Sequence, residues 1–189
     1  MPDPVLLGVS GSLRRGSHNA RLLRAAAREL PEGVALRLYD GLREVPAYDE
    51  DQDGESPPAA VARLRAEIAA ADGLLVATPE YNQSIPGQLK NAVDWASRPY
   101  PDSALRFEPA AVIGASTGAF GAVWAQAEMR KVLAAAGARV VEAELALGHA
   151  HERFDAEGHL VDDEAREQLR EVLALLVESA RARGAARVG

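Results

Sequence analysis

Two stretches of this chain hold polar groups at spacings that could do chemistry. Residues 78–95 read Thr-Pro-Glu-Tyr-Asn-Gln-Ser-Ile-Pro-Gly-Gln-Leu-Lys-Asn-Ala-Val-Asp-Trp and follow an apolar run, Leu74-Leu75-Val76-Ala77. The loop offers backbone N–H groups, an aromatic ring at Tyr81 and an amide at Asn82, a set suited to the edge of a flat heterocycle. Taken alone, Tyr81 reads equally well as a packing aromatic and Asn82 as a turn former. Residues 11–19, Gly-Ser-Leu-Arg-Arg-Gly-Ser-His-Asn, put glycines, hydroxyls, an amide and two arginines just before a helix. A phosphate monoester needs this set: first-turn N–H groups, hydroxyl donors and a cation. Ser12, Arg14, Ser17 and Asn19 are the candidates, and Arg15 can equally face solvent. The plainer reading is a turn with Ser17 or Asn19 as helix N-cap. Paired, a heterocycle loop and a phosphate loop point to a flavin.

Other ligands fit less well. Gly11 and Gly16 have P-loop spacing, but Ser17-His18 stands where Lys-Ser/Thr is needed, so nothing would hold a β/γ-phosphate pair. Gly114-Ala-Ser116-Thr-Gly118 matches a nucleophile elbow, and His149, His151, His159 and Asp155 lie downstream. No His-Gly-Gly-Gly-type oxyanion loop accompanies it, so a serine hydrolase using Ser116 is the minor alternative. Asp49, Asp51 and Asp53 begin a calcium-loop pattern, but its twelfth position is Ala60 and Pro57-Pro58 interrupts it. His149 and His151 lack a third ligand, so no metal site is expected. Residues 116–121, Ser-Thr-Gly-Ala-Phe-Gly, are small enough for close approach of a ring, with Phe120 as a wall.

The elements that must position these loops alternate between strand and helix periods. Strands are expected at 5–10, 34–39, 73–78, 110–115 and 139–147, and helices at 19–30, 57–71, from Pro86 to about Trp95, up to Ala136, and 162–183. Residues 40–56 form a long loop, in which Tyr48 could approach the ligand, and residues 148–161 are irregular. Trp95 and Trp124 are expected in the core or at a subunit interface, and the arginine-rich end, 181–187, as a fraying, solvated helix end. The pattern predicts one α/β domain over residues 1–189, a flavodoxin-like three-layer sandwich whose five-stranded parallel sheet has strand order 2-1-3-4-5. Loops at the carboxyl ends of strands one, three and four then meet at the switch point of that sheet.

With 189 residues, 48% apolar and 26% charged, the chain can close an ordinary core. It has no cysteine, which removes disulfides, iron–sulfur clusters and thiol nucleophiles together. A net charge of −7 disfavours a broad nucleic-acid surface, so any anion must meet a local cationic site. No basic leader and no run of membrane-spanning length is read, so a cytoplasmic protein is expected.

Gly-Ser-Leu-Arg-x-Gly-Ser-x-Asn, Pro-Glu-Tyr-Asn-x-Ser-Ile-Pro-Gly-x-Leu-Lys-Asn-Ala-x-Asp-Trp and Ser-x-Gly-x-Phe-Gly occur here in order. The chain thereby resembles the NADPH-dependent FMN reductase family over roughly residues 5–162. The resemblance implies noncovalent FMN with its phosphate on Ser12, Arg14, Ser17 and Asn19. Its ring would rest on Pro79, Glu80, Tyr81 and Asn82, near Ser116, Thr117, Gly118, Phe120 and Gly121. It further implies hydride transfer from NADPH or NADH to flavin N5, with no catalytic side chain. The electrons would then pass to a small acceptor (quinone, azo compound, metal oxyanion or free flavin) by ping-pong turnover in a homodimer or homotetramer. An electron carrier without NAD(P)H activity is the alternative on the same fold. Two departures stand out: Gly121-Ala122 where members often have Gly-Gly, and His18 on the phosphate-loop flank. Arg98 and Arg106 are candidates to read a 2′-phosphate. Glu80 could meet the ring edge, Lys90 or another subunit.

Overall fold

Two runs of the chain, 73–78 and 109–115, contain no charged residue and so can sit only where both faces are covered. In the computed structural model, which describes residues 3–188, they are the central strands β3 (Gly73–Thr78) and β4 (Pro109–Ala115), buried along their whole length. β1 (Val5–Ser10) lies beside β3, and the half-exposed β2 (Ala35–Tyr39) lies outside β1. Every pairing is parallel, in the order 2-1-3-4-5. Parallel neighbours need crossover helices, and these divide into two layers. α1 (His18–Glu29) and α5 (Asp163–Val188) cover one face, where Leu22, Leu23, Leu169, Leu173 and Leu176 pack on Leu6, Leu75 and Ile113. α2 (Ala59–Ala69), α3 (Gly87–Ala96) and α4 (Val123–Ala135) cover the other, around Leu64, Leu89, Trp95, Met129 and Leu133. This is the flavodoxin-like sandwich.

The fifth strand departs from the single run 139–147. It is two short pieces, β5 (Arg139–Val140) and β6 (Ala146–Leu147), both parallel to β4. Ala110 pairs with Val140 and Gly114 with Ala146, so five residues, 141–145, stand opposite three, 111–113. The edge therefore carries a two-residue bulge, with Glu142 and Glu144 exposed upon it. A charged, bulged edge resists pairing with another chain.

The second half of the 78–95 motif turns out to hold the chain up. Gln88 Nε2 donates to the carbonyls of Leu42 and Val45 at 2.7 and 2.8 Å. Asn91 Nδ2 and Trp95 Nε1 both donate to Pro46 O, at 2.7 and 2.9 Å. One face of α3 thus satisfies the carbonyls of the long 40–56 loop, which has no sheet of its own to bond. Tyr48 is drawn into this staple, its ring edge-on to Trp95 at 4.8 Å and its N–H donating to Asn91 Oδ1. The acidic stretch is equally committed. Asp49 caps the short 3₁₀ turn Glu50–Gln52, and Asp53 pairs with Arg65 at 2.7 Å.

The arginine-rich end does not fray at Arg183. α5 runs on to Val188, and Arg183 is buried against the base of the sheet. Its guanidinium pairs with Glu108, which is fully buried, and donates to Ala71 O. Removing one partner of a buried pair strands the other charge. Arg183→Met is therefore expected to lower unfolding free energy by roughly 3–5 kcal/mol. Urea denaturation measures this, and adding Glu108→Gln should restore part of the loss.

Candidate functional site

Three side chains tie the loops at the carboxyl edge of the sheet into one unit. Gly114 N–H and Ser116 N–H point to the β6 side, donating to Leu145 O and Leu147 O. Ala115 between them must point the other way, towards β3, but β3 ends at Thr78 and Pro79 carries no N–H. Asn19 fills the gap. Its amide accepts from Ala115 N–H and donates to Ala115 O, both at 2.9 Å and buried. The α1 N-terminus is thus bolted to the end of β4. The Asn19 side chain is thus committed to this tie, and its first-turn backbone N–H is a further donor.

Glu80 makes the second tie. Its Oε2 accepts from Trp124 N–H and Ala125 N–H, both at 3.1 Å, so a residue of the β3–α3 loop caps α4. The residue in the cap position, Ala122, has no polar side chain and sits at φ 65, a left-handed conformation that favours glycine. Lys90 pairs within its own helix with Asp94, at 2.6 Å, so the Glu80–Lys90 pair does not form. Ser84 Oγ adds a bond to Glu128 at 2.6 Å. Tyr81 and Ser84 exchange backbone bonds, and Asn82 and Gln83 take φ of 53 and 61 between them. The segment is a hairpin turn of the type that asparagine tolerates, with an exposed tip.

The third tie concerns the 116–121 loop. Gly121, at φ 57, presses so close to β6 that a Cβ there would lie 2.2 Å from the Ala146 carbonyl carbon. Gly148 lies as tightly under Ala119, and His149 N–H and Ala150 N–H donate to Gly118 O and Ser116 O. Ser116 Oγ accepts from Gly118 N–H at 3.1 Å, and among the described residues no histidine bonds it. His159 pairs with Asp155 and His151 with Glu152, but neither these nor His149 bonds Ser116 Oγ among the described residues, so the base–nucleophile contact of a hydrolase is not formed.

These ties give the edge its polarity. Two helix N-termini face it, each a partial positive charge with free N–H groups. Glu80 occupies the N-terminus of α4. The N-terminus of α1 has no acidic residue in its first turn. Ser17 caps it, its Oγ accepting from Ala20 N–H at 3.2 Å, and the hydroxyl proton stays free to donate. Arg14 and Arg15 stand exposed beside it and make no side-chain bond among the described residues. An anion therefore fits at α1, while the α4 side offers Tyr81, Phe120 and small backbone. Phe120 and Trp124 form a half-exposed aromatic pair, ring centres 5.1 Å apart, so Trp124 is not a core residue.

Arg98 and Arg106 lie elsewhere. With Tyr100 and Phe107 they line a cleft of about 490 Å³ between the last turns of α3 and α4. That is the opposite edge of the sheet, and Arg98 reaches Tyr48 while Arg106 binds Asp102. Neither can read a phosphate at the loops. Glu80 as a remote cap and Asn19 as a surrogate strand were not visible from the sequence. Only the missing cap residue before α4 hints at the first.

Asn19→Ala would orphan two buried backbone groups at roughly 1–3 kcal/mol each, so a loss of about 2–6 kcal/mol in urea denaturation is expected. His18 titrates below its ordinary 6.5 because of burial, then the charges of Arg14, Arg21 and His151. Below pH 6.5 the unfolded chain binds a proton that the folded chain refuses. Stability should therefore fall from pH 6.5 down to the depressed folded value and level off beneath it. Urea midpoints between pH 7.5 and 5 measure the slope, and His18→Asn should flatten it.

The match to known proteins covers most of the chain. A family model for NADPH-dependent FMN reductases matches residues 4–152. An NAD(P)H-dependent FMN reductase of Pseudomonas aeruginosa is 45% identical over 175 residues, 92% of this chain and 94% of that one. A 2-hydroxy-1,4-benzoquinone reductase of a Burkholderia species is 42% identical over 162 residues, 85% and 87% of the two chains. The solved structure of FerB, a flavoenzyme NAD(P)H:(acceptor) oxidoreductase of Paracoccus denitrificans, superimposes with a TM-score of 0.83 at 31% identity, covering 95% of this chain and 98% of that one. Fold, loop arrangement and sequence agree: the chain belongs to the NADPH-dependent FMN reductase family.

Proposed function

We propose that this protein is an FMN-dependent oxidoreductase that takes electrons from NADPH or NADH and passes them to a small acceptor in alternating half-reactions. The observation that carries the reading is the polarity of the loop edge: one helix N-terminus filled by Glu80 and one open, with unpaired Arg14 beside it. The residues fit the cofactor. Ser12, Arg14, the Ser17 hydroxyl and the N–H groups of His18 and Asn19 would hold the phosphate. Pro79, the Glu80 backbone, Tyr81 and Asn82 would meet the ring, with Ser116, Thr117, Gly118, Phe120 and Gly121 on its other side. FMN, when bound, supplies the hydride and electron-transfer chemistry.

The chain's own work is to orient that group and leave one side of it open. Tyr81, Asn82 and Phe120 are exposed, so reductant and acceptor would use the same open side in turn. Such a site tolerates several acceptors: quinones, azo compounds, metal oxyanions or free flavin. The relative named as a benzoquinone reductase favours quinones among them. No side chain here need act as acid or base. The exposed Phe120–Trp124 pair beside the loops supports a homodimer or homotetramer with the sites near subunit boundaries. Among the described residues no helix is long and apolar enough to cross a membrane, and dependence on NAD(P)H favours work in the cytoplasm.

The purified protein should be yellow, with flavin absorption bands that bleach on anaerobic addition of NADPH or NADH and return with benzoquinone. Initial rates with both substrates varied should give parallel double-reciprocal lines. Flavin bands that NAD(P)H does not bleach would leave an electron carrier. Intersecting lines would overturn the alternating scheme.

A further inference from the structure

In a chain whose 28 carboxylates outnumber its 21 lysines and arginines, a guanidinium normally finds a partner. Most arginines here do. Arg37, Arg63, Arg65, Arg106, Arg130, Arg153, Arg166, Arg170 and Arg183 pair with carboxylates. Arg28 and Arg43 donate to carbonyls, Arg98 reaches the Tyr48 hydroxyl, and Arg139 lies over the Phe107 ring. The exceptions among the described residues are Arg181 near the chain end and four arginines gathered in one place: Arg14, Arg15, Arg21 and Arg24. Two belong to the phosphate loop. The other two lie on the outer face of α1, whose inner face buries Leu22, Leu23, Ala25 and Ala26.

Arg21, Arg24 and Arg28 recur at the spacing of one helix stripe and form one wall of a cleft of about 350 Å³. The facing wall is the hairpin 154–158. Its Asp155 is taken up by the N–H and ring of His159, and its Glu157 carbonyl accepts from Arg28. Glu157's own carboxylate is exposed and lies within 4.8 Å of the Asp155 carboxylate and the His159 ring. Three guanidiniums against two carboxylates leave the cleft net positive. His18 adjoins Arg14, Arg21 and His151, and its titration is lowered first by burial and then by their charges. A flavin mononucleotide brings one phosphate, which the first turn of α1 would take. Arg24 starts about 9 Å further along the helix axis than His18, too far to share that group well. The cluster asks for a second phosphate.

We infer that Arg21 and Arg24, continuous with the loop through Arg14 and His18, form a separate seat for a phosphate monoester, the 2′-phosphate of NADPH. This rests on the reading of the protein as an NAD(P)H oxidoreductase. It makes the arginine stripe the specificity determinant for NADPH over NADH, because the pyrophosphate is common to both and only the 2′-phosphate differs.

The test titrates the FMN-loaded protein calorimetrically with adenosine 2′,5′-bisphosphate and with AMP, in wild type and in Arg21→Gln/Arg24→Gln. The wild type should bind the bisphosphate more tightly than AMP. In the variant, bisphosphate affinity should fall about tenfold or more, the loss of one or two charge-assisted hydrogen bonds, while AMP affinity changes less than about twofold. Equal affinity for the two nucleotides in wild type, or a parallel change in both, overturns the seat. FMN affinity falling alongside the bisphosphate assigns the cluster to the flavin phosphate and overturns it too. A wild-type protein that carries no flavin, or oxidises neither NADPH nor NADH, fails the parent reading instead. The kinetic companion is the ratio of kcat/KM for NADPH to that for NADH, which should fall in the variant in step with the bisphosphate affinity.

Discussion

The reciprocal bond between the Asn19 amide and the Ala115 backbone is the constraint on which the site depends. A parallel sheet ends raggedly at its carboxyl edge, because each strand must leave for its crossover helix. Where β3 stops at Thr78, Ala115 on β4 loses the neighbour that would have paired with it. Filling that place with a side chain from α1 repairs the sheet and fixes the helix that follows the phosphate loop. Glu80 then fixes α4 to the loop after β3. Loops that would otherwise be the mobile part of the fold become a rigid rim. A rigid rim is what a flat cofactor needs if its binding is not to be spent on ordering the protein.

The same contacts sort charge. Both α1 and α4 aim a positive end at the rim, and an anion could in principle take either. Glu80 neutralises one with a carboxylate already in the chain. The other has no acid in its first turn and is flanked by arginines that find no partner among the described residues. In an acidic protein this is a local reversal of sign. A small anion is drawn to one place, while the net charge of −7 keeps polyanions off the rest of the surface.

How much of this could be read beforehand follows the range of the interactions. β1 and β3 were legible to the residue, since their periods and their loops are local properties of the chain. So was the order of the sheet, which handedness and alternation fix. The ties were not. Asn19 lies 96 residues from Ala115, and Glu80 lies 44 from Trp124. Nothing in their neighbourhoods distinguishes a phosphate ligand from a structural amide, or a ring contact from a helix cap. Arg98 and Arg106 failed for a related reason. Sequence places them just after the motif, but α3 carries the chain to the far edge before they occur. The bulge at 141–145 depends on register across strands, and the buried Arg183 on where α5 lands on the sheet. Gln88, Asn91 and Trp95 belong to the same motif and hold the 40–56 loop, a role that no local pattern announces.

The central claim is that the open N-terminus of α1 receives the phosphate of a flavin whose ring lies towards α4. Equilibrium titration of the flavin-free protein with FMN and with riboflavin tests it most directly, since the two ligands differ only in that phosphate. Several charge-assisted bonds to one dianion should make FMN bind about a hundredfold or more tighter, with the gap narrowing as salt is raised. Riboflavin binding as tightly as FMN, at any ionic strength, would contradict the account.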